Sequence, residues 1–242
     1  MSKIRLQSAL AKAGVAARRK AAEIILSGRV KVNGAPVNEK GFRVDVSGDK
    51  ITFDGKPVVF ENFFYYYILN KPIGIISASS DVRGRKTVFD CVDAHGARVY
   101  PVGRLDKDTT GLIILTNDGE LTYRMTHPKF GIDRVYEVRV KGAIKAEDFE
   151  TLKKGVLLDG KLARPVNASL KSKTKNYTVA IITLSEGRKR EVRNMFKFIG
   201  YPVKTLKRLK YGPLTLGHLE EGEYRALTAQ EIAKLKKSVK IS

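Results

Sequence analysis

A short acidic loop between two glycines is the first place in this chain where chemistry is expected. Residues 103–112 read GRLDKDTTGL, so Asp106 and Asp108 lie among cations just before an apolar run. That run predicts a buried strand, which would hold the loop rigidly at the mouth of the core. An ionised carboxylate held there can act as a nucleophile or a general base. The same aspartate can equally cap a turn by accepting from the threonines that follow.

Two triplets of adjacent cations are the next candidates for function. The first opens a predicted helix at 17–26, and the second opens a predicted helix at 188–200 whose apolar residues form a stripe. Positive charge at a helix start opposes the helix dipole by about a few tenths of a kcal/mol per group. Contact with phosphate would offset that cost, whereas a solvated basic face would not. The triplets are Arg18, Arg19 and Lys20, and Arg188, Lys189 and Arg190.

A tyrosine in an alternating segment is the third candidate. In residues 135–140 the apolar side chains of Tyr136, Val138 and Val140 share one face. Tyr136 is therefore expected to point inward, where its hydroxyl needs a partner. A core tyrosine and an active-site tyrosine both satisfy this pattern.

The elements that must position these residues form two predicted domains of the α+β class. Residues 1–60 contain two helical patterns and a tight hairpin with Asn33-Gly34 at its turn. Residues 63–242 contain the remaining strands and helices, and the junction is expected between Pro57 and Asn62.

The overall charge indicates a polyanionic partner. Lysine and arginine total 46 against 25 acidic residues, a formal charge of +21. No apolar run approaches the roughly 20 residues of a bilayer span, so no membrane partner is expected. The single Cys91 cannot form an internal disulfide, which fits a reducing cytoplasm. His95, His127 and His218 show no ligand spacing, so no metal site is expected.

Several stretches resemble one known family. The loop GRLDKDTTGL resembles the catalytic motif of the pseudouridine synthases that modify ribosomal RNA and carry an extra N-terminal RNA-binding domain. NKPIG (70–74), RVYEV (134–138), EGRKREVRNM (186–195) and SGRVKVNG (27–34) resemble further motifs of that family. The resemblance implies a small helix–helix–hairpin RNA-binding domain. It also implies a pseudouridine-synthase-type catalytic domain with a largely antiparallel mixed sheet and a basic cleft.

The resemblance also implies roles for individual residues. Asp106 matches the essential aspartate and Tyr136 the active-site tyrosine. Arg193 matches the partner that would hold Asp106 ionised and oriented through paired hydrogen bonds. Lys71 of NKPIG is a candidate phosphate contact, and Arg104 is placed to fill the space left by an extruded base.

The chain departs from the family motif at two positions. Gln is expected before Val192 and a basic residue after Arg193, but the chain has Glu191 and Asn194. These departures are expected to alter local RNA contacts.

The implied reaction converts uridine into pseudouridine. It breaks the bond from ribose to the base nitrogen, rotates the base and rejoins it through carbon. Atoms and redox state balance, so no cofactor or metal is required. The ending at 211–232 resembles large-subunit members, which implies large-subunit rRNA, acted on before assembly is complete. Small-subunit rRNA and transfer RNA are the alternatives, and the protein is expected to be a monomer.

Two other classes of function stay open. One is a non-catalytic ribosome-binding protein built from the same parts, against which the presence of Asp106 argues. The other is a metal-dependent nuclease using Asp106, Asp108 and Asp118, since clustered carboxylates can bind magnesium. The lysine between the two loop carboxylates argues against the nuclease.

Overall fold

The computed structural model describes residues 3–60, 63–78, 81, 83–94 and 98–241. The chain divides into two compact units, Met1–Phe64 and Tyr65–Ser242. In the described ranges, no helix is long and apolar enough to cross a membrane.

The N-terminal unit packs two helices against short strands. Its elements are β1 (Ile4–Arg5), α1 (Leu6–Lys12), α2 (Arg18–Leu26), β2 (Val30–Val32), β3 (Ala35–Val37), β4 (Arg43–Val44), β5 (Ile51–Phe53) and β6 (Lys56–Pro57). The predicted hairpin is confirmed, because β2 and β3 pair across Asn33-Gly34 and both turn residues have positive φ. Leu10, Ile25 and Val30 lie in the shared apolar core.

The C-terminal unit is built on one large sheet with helices on its faces. Its strands are β7 (Tyr66–Lys71), β8 (Tyr100–Pro101), β9 (Thr110–Thr116), β10 (Arg134–Lys141), β11 (Val156–Leu158), β12 (Lys161–Ala163), β13 (Asn167–Lys173), β14 (Tyr177–Leu184), β15 (Val203–Tyr211), β16 (Leu214–Thr215) and β17 (Tyr224–Ala226). Its helices are α3 (Gly119–Thr126), α4 (Ala146–Lys154), α5 (Glu191–Phe198) and α6 (Ala229–Ser238), with 3₁₀ turns at Val88–Cys91 and Pro128–Phe130.

The sheet is mixed and largely antiparallel, which confirms the predicted fold class. Its order is β13-β14-β10-β15-β9-β7-β17, with β16 beside β15 and β8 beside β9. Among the described residues, the pairing of β15 with β9 is its only parallel contact. The sheet therefore brings β9, which follows the acidic loop, next to β15 and close to β10.

Strand β9 is buried on both faces, as its continuous apolar run predicts. Ile113 and Leu115 lie in the core that includes α4 and α5, whereas Leu112 and Ile114 lie in the core that includes α3 and α6. This follows from the alternation of side chains along a strand. The acidic loop is consequently attached to the most deeply buried part of the sheet.

Gly111 at the start of β9 allows the parallel pairing to form. Its φ is +103°, and a Cβ on it would lie 2.3 Å from the backbone oxygen of Arg208. Only a residue without a side chain permits this approach of β9 to β15. The last glycine of the GRLDKDTTGL motif is thus required for the packing of β9 against β15.

The predicted helix at 188–200 begins later than expected. Arg188, Lys189 and Arg190 form the turn before α5, and Arg190 is its N-cap residue with φ +54°. A left-handed residue interrupts the helical backbone, so the three cations lie outside the helix. The apolar stripe predicted for the helix is confirmed, since Val192, Met195 and Phe196 are buried.

Candidate active site

The acidic loop lines a cavity of about 250 Å³ in the C-terminal unit. Residues of α3, β10, β14, β15, α5 and the turn before α5 line the rest of it. Its cations are Arg104, Arg134, Arg188, Lys189, Arg190 and Arg208, and its acidic residues are Asp106, Glu186 and Glu191. The lining is therefore net positive, which favours an anionic ligand.

The backbone of the acidic loop is fixed from two sides. Ser77 Oγ donates to Leu105 O and accepts from Leu105 N, both at 3.0 Å. The amide of Gly74, in the NKPIG segment, donates to Lys107 O at 2.9 Å. The segments at 70–74 and 103–112, far apart in sequence, are thus bonded to each other, and the loop has little freedom to move.

The Asp106 carboxylate does not stabilise the acidic loop that carries it. Among the described residues, no hydrogen bond reaches it, and its one ion-pair contact is Arg190 Nη1, 3.8 Å from Oδ2. The side chain is 37% exposed and lines the cavity. The capping alternative is not realised, because the amide of Thr109 donates to the backbone oxygen of Asp106 instead. The carboxylate is thus available to a ligand.

Asp108 has the strongest ion pairs of the loop. Arg190 donates to both of its carboxylate oxygens, at 3.1 and 3.0 Å, and Arg193 Nε lies 3.3 Å from Oδ2. Burial raises the pKa of Asp108, but the hydrogen bonds from Arg190 and the charge of Arg193 outweigh it and leave the pKa below its usual value. Asp108 is consequently held as a carboxylate between two arginines.

The expected pair between Arg193 and Asp106 is not formed. Arg193 is only 9% exposed, donates to Val203 O at 3.3 Å, and also donates to the backbone oxygen of Asp108. These bonds fix its guanidinium beside Asp108. Burial lowers the pKa of Arg193, while the charge of Asp108 opposes that change. Arg193 thus supports the loop through Asp108, and Arg190 is the cation in contact with Asp106.

Tyr136 lies where the alternation predicts, on the buried face of β10. It is 9% exposed and lines the cavity. Among the described residues, no hydrogen bond involves its hydroxyl. A buried tyrosine hydroxyl normally has a partner, so this one is available to a ligand in the cavity.

Two buried arginines in the cavity lining were not predicted from the sequence. Arg134 donates to the backbone oxygens of Ile132, Met125 and Ser185, and Arg208 Nε donates to Leu112 O at 2.7 Å. Their guanidinium carbons lie 5.0 and 4.6 Å from the ring centre of Tyr211. Arg134 is the first residue of the RVYEV motif, so the motif was a sequence signal that this arginine belongs to the site. Arg208 belongs to none of the motifs, and only the pairing of β15 with β9 brings it to the cavity.

The Lys71 side chain is bonded to the backbone of its own turn. It is fully buried, and its ammonium donates to Pro72 O and Ile75 O at 2.9 and 2.7 Å. Burial lowers its pKa to about 8. The expectation of a phosphate contact is wrong for this conformation, because the side chain points into the core beneath the 70–75 turn. Lys71 instead fixes the turn that holds the acidic loop.

The other cavity residues predicted to contact RNA differ in whether they already have hydrogen-bond or ion-pair partners within the protein. Arg104 and Lys189 are exposed at the cavity, and no hydrogen bond or ion pair of the described residues involves them. Arg188 is engaged, since it pairs with Glu186 at 2.9 Å and donates to Leu162 O at 3.0 Å.

In the N-terminal unit, the predicted basic triplet at the start of α2 is solvent-exposed. Arg18, Arg19 and Lys20 occupy its first turn, which has no acidic residue and no side-chain cap. Only Lys20 is paired among the described residues, with Glu23 at 2.9 Å. Arg18 and Arg19 therefore remain available to an anionic ligand.

Glu191, one of the departures from the motif, is a buried carboxyl group at the cavity. It is 4% exposed, and its Oε2 accepts from the amide of Arg188 at 3.0 Å, whereas Oε1 is buried without a hydrogen bond among the described residues. Burial, with a smaller contribution from neighbouring Glu186, raises its pKa to about 7, although the hydrogen bond from the Arg188 amide opposes this change. Glu191 therefore changes charge near neutral pH.

The carboxylates proposed for a nuclease do not come together. Asp118 caps α3 by accepting from the amide of Leu121 at 3.0 Å, and it accepts from the hydroxyl of Tyr66 at 2.8 Å. Within the described ranges, no three His, Cys, Asp or Glu side chains are grouped as metal ligands. His95, one of the histidines considered above, lies outside those ranges.

Comparison with known families identifies both units. A model of the RNA pseudouridylate synthase family matches residues 65–198, and a model of the S4 domain matches residues 4–51. The first match covers strands β7 to β14, the acidic loop and α5, and it ends before β15. The chain belongs to the RNA pseudouridylate synthase family, and it carries an S4 domain at its N-terminal end.

Individual relatives cover nearly the whole chain. Ribosomal large subunit pseudouridine synthase B of Bacillus subtilis is 45% identical over 96% of this chain and 95% of its own length. The protein of the same name from Pseudomonas aeruginosa is 39% identical over 97% of this chain and 62% of its own length. A crystal structure of a pseudouridylate synthase matches with a TM-score of 0.67 and 33% identity, over 96% of this chain and 99% of that one.

Proposed function

We propose that this protein isomerises a uridine of large-subunit rRNA to pseudouridine, with Asp106 as its essential catalytic residue. The observation that carries the proposal is the Asp106 carboxylate, which has no hydrogen bond among the described residues and lines a net positive cavity. The loop that carries it is bonded on both sides and so presents it in one position.

The reaction needs a group that acts on the ribose and a site that holds the detached base. Breaking the bond between ribose and N1 and forming the bond between ribose and C5 releases the proton of C5 and leaves a proton on N1. Asp106 would act on the sugar as nucleophile or base. Tyr136, with its free hydroxyl, would contact the base or relay that proton. Arg193 acts through Asp108, as a positioning residue for the loop.

The cationic residues would hold the RNA around the extruded uridine. Arg190 contacts Asp106, and the exposed Arg104 and Lys189 would meet phosphate or fill the space in the stack. In the S4 domain, assigned here to residues 1–60, Arg18, Arg19 and Lys20 would bind the backbone of a nearby stem. The catalytic domain is assigned to residues 63–242.

The choice of large-subunit rRNA rests on the relatives. Two proteins named ribosomal large subunit pseudouridine synthase B align with 96% and 97% of this chain. A substrate in rRNA implies a cytoplasmic protein. We propose that it acts as a monomer on RNA that is not yet fully assembled, because extrusion of a base needs accessible RNA.

Replacing Asp106 with Asn tests the proposal. Wild-type protein should convert a uridine in protein-free large-subunit rRNA, and pseudouridine mapping should locate it. Asp106→Asn keeps the shape and removes the charge, so turnover should become undetectable while RNA affinity stays within a few fold. Turnover by the pure variant would contradict the role of Asp106. Conversion of small-subunit rRNA alone would contradict the substrate while leaving the reaction type intact.

A further inference from the structure

A group of three aromatic rings, two exposed and one half-buried, lies at the end of α3. The ring centres of Tyr123 and His127 are 5.1 Å apart, those of Tyr123 and Phe130 are 5.9 Å apart, and those of His127 and Phe130 are 6.3 Å apart. Together with Lys129 we call these residues the α3 aromatic patch. The Tyr123 side chain is one of the large exposed apolar groups of the protein, at 48% exposure.

The patch carries a positive charge that is not neutralised. The ammonium of Lys129 lies 4.8 Å from the ring centre of Phe130 and 5.4 Å from that of Tyr123. No carboxylate of the described residues pairs with it. The neighbouring Arg124 differs, because it pairs with Glu120 at 2.6 Å and donates to Val239 O.

Packing of the fold does not require so much exposed aromatic surface. Leu121 and Met125 already anchor α3, and both are fully buried. The turn that follows α3 is closed by its own bond, from the amide of Lys129 to His127 Nδ1 at 3.2 Å. About half of the Tyr123 side chain nevertheless remains in solvent.

The patch is fixed in position beside the cavity. Thr126, one helical turn from Tyr123, lines the cavity. The backbone oxygen of Met125 accepts from Arg134 Nη2 at 3.0 Å and from the hydroxyl of Tyr211 at 2.8 Å, and both donors also line the cavity. A nucleotide chain that places one base in the cavity can therefore reach the patch with a neighbouring base.

We propose that the α3 aromatic patch binds an unpaired nucleotide next to the target uridine. Its base would stack on Tyr123 and its phosphate would pair with Lys129. Stacking on an aromatic side chain with a cation at the phosphate is the general way in which proteins hold unpaired nucleotides. The inference rests on the proposed function, because it takes the cavity as the site of the target base.

The absence of tryptophan from the sequence allows a direct test of stacking. Tyr123→Trp would introduce a single tryptophan whose emission falls when a base stacks on it. A short single-stranded oligouridylate should quench it, and a blunt RNA duplex of equal length should not. Tyr177→Trp is the matched control, because Tyr177 also packs against a cation, Arg139, 4.2 Å from its ring centre. Its emission should not change with either RNA.

Kinetics with protein-free large-subunit rRNA give the second readout. Tyr123→Ala and Lys129→Ala should each raise KM, by about tenfold for the stacking residue, with kcat unchanged at saturating RNA. Tyr177→Ala should have wild-type kinetics.

Equal quenching by single-stranded RNA and duplex, or no quenching, would overturn the inference, as would an unchanged KM for Tyr123→Ala. Failure of the proposed function is distinguishable, because it would appear as a wild-type protein that converts no uridine. The quenching experiment does not depend on turnover.

Discussion

Four of the five arginines that line the cavity form two groups with opposite surroundings. Arg134 and Arg208, which we call the floor, are 7% and 2% exposed and donate to backbone oxygens. Arg188 and Arg190, which we call the rim, have side chains 33% and 41% exposed and pair with carboxylates. The same residue type is thus a buried cross-link in one place and an accessible ion-pair partner in the other.

Because their surroundings differ, the floor and rim arginines have different roles although they carry the same charge. A cation bonded to neutral carbonyls keeps its full charge, so the floor contributes a constant positive potential to the cavity. A cation paired with carboxylates is largely neutralised, and its partners and salt can change its effect. We therefore expect floor variants to lose stability first, and rim variants to lose activity or RNA affinity first.

The largest effect is expected at Gly111, which lets β9 approach the backbone of Arg208 in the floor. Gly111→Ala would place a Cβ 2.3 Å from Arg208 O, and backbone cannot move aside as a side chain can. We expect a loss of about 4 kcal/mol or more in the free energy of unfolding, or no folded protein. Denaturant titration measures it.

The control for Gly111 is Gly142, which also has positive φ, +83°, but where a Cβ would have no other atom within 4 Å. Gly142→Ala should cost only about 1 kcal/mol, from backbone strain. Equal losses in the two variants would show that the close approach of β9 to β15 is unimportant.

The direct comparison of floor and rim uses Arg208→Ala and Arg190→Ala. Arg208→Ala should cost about 3 kcal/mol, because it removes the bond to Leu112 O and leaves a cavity beside Tyr211. Arg190→Ala should cost less than about 1 kcal/mol, since its ion pairs are exposed. It should nevertheless lower kcat/KM about a hundredfold, because Asp106 loses its cation. Chemical denaturation measures the loss of stability, and single-turnover kinetics measure the loss of activity. The distinction between floor and rim would be wrong if Arg190→Ala lost mainly stability and Arg208→Ala lost mainly activity.

The pH dependence of stability tests Glu191, the buried carboxyl group bonded to the rim residue Arg188. Burial raises the pKa of Glu191 from 4.5 to about 7, so between these values the folded state binds more protons than the unfolded state. Stability should therefore fall as pH rises from about 4.5 to 7, by a few kcal/mol at most, and then level off. Glu191→Gln should remove this fall and be more stable than wild type at pH 8. Identical pH profiles would contradict the raised pKa.

A carboxylate outside the cavity provides the opposite case. Hydrogen bonding to Arg225 lowers the pKa of Glu231 to about 2. The contribution of Glu231 to the free energy of unfolding is present above pH 4.5 and is lost as pH falls towards 2. The effects of Glu191 and Glu231 should therefore fall in separate pH ranges, and Glu231→Gln should leave the change between 4.5 and 7 intact.

The smallest effect is expected for a single free cation at the cavity. Lys189→Ala should reduce the slope of log affinity against log salt by about 0.7 to 0.9 if it meets one phosphate. Lys153→Ala is the control, because Lys153 pairs with Glu150 on α4, away from the cavity lining. RNA binding measured at several salt concentrations gives both slopes. Equal slopes in the two variants would exclude a phosphate contact at Lys189.

Periodicity made much of the fold predictable because it is a local property. The alternation at Tyr136 and the continuous apolar run of β9 both show which side chains are buried, and the structure agrees. The start of α5 could not be placed in this way. The left-handed backbone of Arg190 makes the helix begin only after the three cations, and an arginine is not a residue type that indicates this conformation.

Contacts between charged side chains were much less predictable. Lys71 was expected at a phosphate, but its ammonium is bonded to the carbonyls of the turn above it. Arg193 was expected at Asp106, but its bond to Val203 O holds it at Asp108. Each outcome depends on where a second segment of the chain passes, and the residues on either side of the cation do not determine that.

The sequence by itself determined the two units, the buried strand behind the acidic loop and the family to which the chain belongs, because hydrophobic spacing and motif residues are local features. Only the tertiary structure decided which cations serve the cavity. The parallel pairing of β15 with β9 brings Arg208 to its floor, and the close approach at Gly111 permits that pairing. Strand neighbours are determined by the whole core, so the partners of a buried charge follow from packing rather than from the residues beside it.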